Sequence, residues 1–227
     1  MTSHSASAPS GALFLLLLVA AAASTGTAAA GLLELHRLAK PLTMVFAIIL
    51  IATRAYPSAS GGRFQSRFKT WLMIALACSL VGDVALMFPG YFVPGLVAFL
   101  LAHLSYIAML KQRLPWFPSR HALLAVLSFG ACMYAVLWIG GLPPSLRAPV
   151  AAYVLVIALM AAQAIGRAVV LRDRAAWGVA LGAVFFMLSD TLLALNKFVA
   201  PLPMAPLWVL STYYAAQLLI VRHAHPN

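Results

Sequence analysis

Uncharged apolar runs of about 20 residues recur from one end of this chain to the other, and each is long enough for a helix to cross the hydrocarbon core of a bilayer. Cutting the sequence at charges, prolines and glycine clusters gives eight runs, at about 11–30, 38–55, 70–88, 91–110, 121–140, 148–166, 176–195 and 204–221. None shows the period-2 alternation of a barrel strand, and a helix satisfies its backbone hydrogen bonds within itself where water is missing. The expected fold is all-α: a single integral membrane domain, a polytopic transmembrane bundle of eight helices with short connections. Hydrophobic residues fill 64% of the 227 positions and charged residues 8%, which excludes a water-soluble domain, a disordered chain and a coiled coil.

A formal net charge of +11 would point a soluble chain toward nucleic acid. Here the bases sit in short connections between apolar runs, so they read as orientation signals and no nucleic-acid partner is expected; the partner is the lipid bilayer. The connections after runs two, four and six, with the C-terminal tail, hold 11 of the 15 Lys and Arg, and the opposite connections hold Arg37, Lys40, Arg147 and Lys197. The richer side is expected to be cytoplasmic, with both termini inside and, in a bacterium, the plasma membrane as the location. Ala28, Ala29 and Ala30 resemble a cleavage site, but no Lys or Arg occurs in the first ten residues, so the first run is expected to be retained as a helix. Cys78 and Cys132 lie within apolar runs and imply neither a disulfide framework nor a CxxC metal site.

Gly82-Asp83-Val84-Ala85-Leu86 in run three is echoed by Ser189-Asp190-Thr191-Leu192-Leu193 in run seven, four helices later. Two parallel four-helix halves would produce that spacing.

The echo centres on residues that need a reason. A carboxylate in a transmembrane helix costs roughly 2.5–3.5 kcal/mol even on the lenient insertion scale, yet Asp83 and Asp190 both lie inside apolar runs. Each is about five residues from the outer end of its run, so the two are expected at one depth. His103 and Tyr106, three apart, share a helical face near mid-membrane, and Tyr213 and Gln217 are one turn apart. Lys40, Asn196 and Lys197 stand near the outer ends of their runs, where the lysines either snorkel to the interface or join the site. No serine-hydrolase elbow, zinc-protease motif, phosphate loop or dinucleotide fingerprint occurs. Asp83, His103 and Asp190 lack a recognised metal-ligand spacing, and no metal or other cofactor is expected. What remains fits acid/base chemistry on an amphiphile, or a proton-coupled transporter of a small or amphiphilic substrate.

At these residues the sequence resembles the YhhN family of membrane proteins, which includes the lysoplasmalogenases. The matching pieces, in order, are Lys40-Pro41-Leu42-Thr43, Ser79 through Met87, Gly95 through Phe99 and His103 to Tyr106, Phe185 and Phe186 with Ser189-Asp190, Asn196-Lys197-Phe198, and Tyr213 through Gln217. The resemblance implies hydrolysis of the vinyl ether bond of a lysophospholipid substrate, a lysoplasmalogen, to a fatty aldehyde and a glycerophospho head group. Protonating the β-carbon of a vinyl ether gives an oxocarbenium ion that water captures, and the hemiacetal then collapses. By analogy with glycosidases, one neutral Asp would be the acid and one charged Asp would stabilise the cation. Asp83, Asp190 and His103 are the expected catalytic residues, with Asp190 the acid because the apolar stretch Val184–Leu188 before it should desolvate it more than Asp83. Lys40 and Lys197 are expected to hold the phosphate, while Asn196, Tyr106, Tyr213 and Gln217 contact substrate or orient the pair.

Overall fold

The computed structural model describes residues 8–55 and 62–226. These form eight helices and no strand: α1 (Ala8–Ala29), α2 (Leu33–Thr53), α3 (Gly62–Ala85), α4 (Phe92–Lys111), α5 (Arg120–Ile139), α6 (Pro144–Leu171), α7 (Arg174–Phe198) and α8 (Ala205–His223). The extreme termini and positions 56–61 of the basic loop lie outside the described residues.

Every expected run is a helix, but several are longer than the apolar pattern. α3 already includes Arg63, Arg67 and Lys69, and α6 continues past Arg167 to Leu171. A helix does not stop where the hydrocarbon stops, because long basic side chains carry their charge along the helix surface to the interface. Pro41 lies inside α2 and Pro149 inside α6, so neither proline ends its helix. α6 ends instead at Arg172, a residue in left-handed conformation, and Asp173 then caps α7 by accepting the Ala176 N–H at 2.6 Å.

Seven helices, α1 to α7, are long and apolar enough to cross a membrane. α8 is less apolar because Ser211, Thr212, Tyr213, Tyr214 and Gln217 occupy its middle, and it packs against α7 and α1 within the bundle. Large apolar side chains face outward on several sides, among them Leu38, Leu124, Ile139 and Leu155, as lipid requires and water would penalise. The chain is an integral membrane protein.

Sequential helices pack together from α1 to α4 and again from α5 to α8, while α4 and α5 make no contact. The halves join where α4 crosses to α6 and where α8 returns to α1 and α2. Small residues permit the close approaches. A Cβ on Gly182 of α7 would lie 3.0 Å from the Ala216 carbonyl of α8, and one on Gly82 of α3 would lie 2.6 Å from the Phe99 ring of α4.

Candidate active site

Two carboxylates, each held by two helices, form the polar heart of the bundle. Asp83, two residues before the end of α3, is 1% exposed. Lys40 of α2 brings its Nζ to 3.3 Å from Asp83 Oδ1, and the Tyr213 hydroxyl of α8 donates to Oδ2 at 2.6 Å. Behind Tyr213, the Gln217 side-chain N–H donates to its hydroxyl oxygen at 3.4 Å, and the Tyr106 hydroxyl donates to Gln217 Oε1 at 2.8 Å. All three donors in this chain point toward Asp83, which ends it as acceptor beside an ammonium group.

Asp190 is built differently. Its Oδ2 accepts the Tyr153 hydroxyl of α6 at 2.5 Å and lies 3.4 Å from His103 Nε2 of α4. His103 Nε2 is also 2.9 Å from the Tyr153 oxygen. With the Tyr153 proton directed at Asp190, His103 must supply the hydrogen in that contact and so carries it on Nε2. Nδ1 is buried and meets no partner among the described residues. The ring is wedged against Phe186, centroid to centroid 4.7 Å, and Tyr153, 5.3 Å.

The helices that hold the two Asp side chains correspond. Asp83 on α3 is held from α2 and α8, and Asp190 on α7 is held from α6 and α4. Stepping four helices around the bundle converts the first set into the second, which agrees with two parallel four-helix halves.

Both carboxylates line one cavity of about 320 Å³, together with His36, Lys40, Asn196 and Tyr213. Counted from the helix ends the two are not at matching positions, since Asp83 is two residues from the end of α3 and Asp190 eight from the end of α7. The offset arises because α3 stops about three residues short of its expected end and α7 runs about three residues past its own.

The expected order of desolvation is reversed. The Asp83 side chain is 2% exposed and the Asp190 side chain 18%. Val184 and Leu188 face outward, 43% and 40% exposed, so apolar neighbours in sequence do not cover the carboxyl. Asp83 is covered by Lys40, Tyr213 and the bundle around them.

Lys40 and Lys197 also part company. Lys40 is buried against Asp83, whereas Lys197 is exposed, does not line the cavity, and sits with Nζ 4.5 Å from the Phe92 ring centroid. Asn196 lines the cavity and accepts the Leu202 N–H at 2.9 Å, shaping the α7–α8 connection. Tyr106, His103 and Gln217 stand behind the cavity wall and support the residues that line it. Ser189 donates to the Val209 carbonyl at 2.9 Å, tying α7 to α8.

Two residues of the site were not singled out from sequence. Tyr153 carried the same signal as Tyr213, a hydroxyl deep in an apolar helix. His36 is one turn before Lys40 on α2 and hence on its face; it donates from Nδ1 to the Ser24 carbonyl at 3.0 Å, and Ser24 Oγ is 2.6 Å from the Tyr214 hydroxyl. Among the described residues no group of three or more His, Cys, Asp or Glu is clustered to hold a metal ion. Chemically the site offers a carboxylate with its own cation and, in the same cavity, a second carboxyl held by a tyrosine hydroxyl and a histidine ring nitrogen.

The YhhN family model matches residues 35–224. A Homo sapiens protein named Lysoplasmalogenase TMEM86B is 40% identical over 167 residues, covering 74% of this chain and 66% of the relative. Its Sus scrofa namesake is 38% identical over 161 residues, 71% of this chain and 64% of the relative. A protein of Mycobacterium tuberculosis named Lysoplasmalogenase is 31% identical over 194 residues, 82% of this chain and 70% of the relative. The chain thus spans about two thirds of the length of the curated relatives it matches. No solved structure matches it.

Proposed function

The chain belongs to the YhhN family, and from that premise we propose that it is a membrane hydrolase that cleaves the vinyl ether bond of a lysoplasmalogen, releasing a fatty aldehyde and a glycerophospho head group. The observation that carries the reading is the contrast between the two carboxylates in one cavity: Asp83 is paired with Lys40, and Asp190 is open to the cavity beside Tyr153 and His103. The names of the relatives supply the substrate class.

Asp190, as the neutral carboxylic acid held by Tyr153 and His103, protonates the β-carbon of the vinyl ether. The α-carbon and the ether oxygen then share an oxocarbenium charge, which the Asp83 carboxylate stabilises from across the cavity. Water adds to the α-carbon and gives a proton to the Asp190 carboxylate, restoring the acid. The hemiacetal collapses to the head-group alcohol and the aldehyde, so the sum is one vinyl ether plus one water. General acid catalysis of this kind is worth roughly 10²–10⁴ in rate. Lys40, Asn196 and His36 are among the polar groups the cavity offers to the head group.

The cavity lies at the end of the bundle that carries the α1–α2 and α7–α8 connections, since Leu33, Ala205 and Pro206 line it. The excess of basic residues at the other end makes that end cytoplasmic, so the site opens in the outer half of the bilayer, with both termini inside. In a bacterial cell the membrane is the plasma membrane.

The test is turnover. Purified protein in detergent, with no ion gradient, should release long-chain aldehyde from a lysoplasmalogen. No aldehyde, together with substrate-driven proton movement in sealed vesicles, would replace this reading with proton-coupled transport.

A further inference from the structure

Two spaces meet at Asp190, and the polar cavity is one of them. On the opposite side an apolar cleft of about 70 Å³ lies between α4, α5, α6 and α7, walled by Leu96, Met133, Val150, Val154 and Ile157 among others. Leu86, Phe99, Asp190 and Leu193 line both spaces, so the partition between them is three apolar side chains and one carboxyl. The cleft corresponds to the cavity under the same four-helix step, with α5 and α6 in place of α1 and α2. One chamber of the pair has Lys40 and Asp83 in its wall; the other has Tyr153 and Asp190 at its edge and a mostly apolar remainder, Val150, Val154 and Ile157 among it.

We infer that this cleft receives the hydrocarbon chain of the substrate, taking the first carbons beyond the reacting bond, and that Val154 and Met133 set which chains are accepted. The inference rests on the vinyl ether reading. In such a lipid the reacting bond is the point where head group and hydrocarbon join, and Asp190 stands where the polar and apolar chambers join. The cleft is too small for a whole chain, but Phe129 on its wall is 44% exposed at the outer surface of the bundle, so the remainder of the chain leaves toward lipid there. α5 suits such a gate because Gly130 and Leu137 are its only buried residues. Gly130 brings α5 close to α6, since a Cβ there would lie 3.2 Å from Val154 Cγ1. The cleft therefore narrows beside Val154.

The experiment compares two substrates, hexadec-1-enyl glycerophosphoethanolamine and its ethenyl counterpart, which has no carbon beyond the reacting bond, in the wild type, in Val154→Phe and in Met133→Trp. Each added ring fills the cleft from a different helix, and whichever variant keeps the wild-type thermal midpoint is read. Losing contact with each methylene is worth about fourfold, so the long-to-short ratio of kcat/KM should fall at least tenfold while ethenyl turnover, which places nothing in the cleft, is largely kept. An unchanged ratio, including equal loss of both substrates, overturns the cleft as the chain site. If the wild type cleaves neither substrate, it is the vinyl ether reading that has failed.

Discussion

Lys40 Nζ lies 3.3 Å from Asp83 Oδ1, and the two side chains are only 10% and 2% exposed. Removing one partner of a buried ion pair strands the other charge, which costs about 3–5 kcal/mol, whereas removing both can be nearly neutral. Lys40→Met and Asp83→Asn should each lower the thermal midpoint in detergent, and the double variant should recover most of the loss. Its aldehyde release should stay at least about a hundredfold down, because the charge that steadies the cation is gone. Single variants that melt like the wild type would show that the pair does not hold α2 to α3.

Asp190 has no such dependent. Tyr153 is neutral and His103 is neutral when it carries one ring hydrogen, so Asp190→Asn leaves no stranded ion and keeps an acceptor for the Tyr153 hydroxyl. Stability should change by about 1 kcal/mol or less, while turnover should fall about a hundredfold or more. Near-normal aldehyde release from folded Asp190→Asn would remove Asp190 from the role of acid.

How far the sequence led depends on the kind of residue. Asp83, Asp190, His103, Tyr213 and Gln217 are polar groups in apolar helices, and the penalty for such groups in lipid makes them stand out without any structure. What they pair with is not written locally. Lys40 near a helix end reads as snorkelling, and only the crossing of α2 with α3 places it on Asp83. Lys197 reads the same way and does stay at the surface, over Phe92. Tyr153 carries the same depth signal as Tyr213; that its hydroxyl faces Asp190 is a tertiary fact. Helix ends run past the charges that bound the apolar pattern, as at the start of α3 and the end of α6, because a basic side chain ends the hydrophobic run without ending the helix.

Tyr153→Phe tests the second cluster from its other side. The substitution keeps the ring against His103 and removes the hydroxyl that touches both His103 and Asp190. If Tyr153 orients the acid, kcat should fall about tenfold or more while KM changes little, because an interaction made chiefly in the transition state is lost. The pH profile of kcat should shift as well, which loss of packing alone would not produce.

Lys197→Ala should be close to silent. An exposed cation over an aromatic ring is worth about 0.5–1 kcal/mol, and Lys197 is not part of the cavity wall. Aldehyde release and KM should stay within about twofold of wild type. A large rise in KM would mean that Lys197 swings onto the substrate phosphate.

The threading can be checked by chemical labelling. Cys78 and Cys132 are free, so both are first replaced by Ala to give a silent background. Single cysteines are then placed at Arg113, in the α4–α5 connection, and at Ala200, in the α7–α8 connection; both positions are exposed. Consecutive helices that each cross the bilayer put these two connections on opposite sides, and the basic bias puts Arg113 inside. With a membrane-impermeant maleimide on intact cells, Ala200→Cys should label directly and Arg113→Cys only after permeabilisation. Labelling of both from one side would mean that one of α5 to α7 fails to cross. Labelling with the sides exchanged would keep the bundle but turn the site toward the cytoplasm.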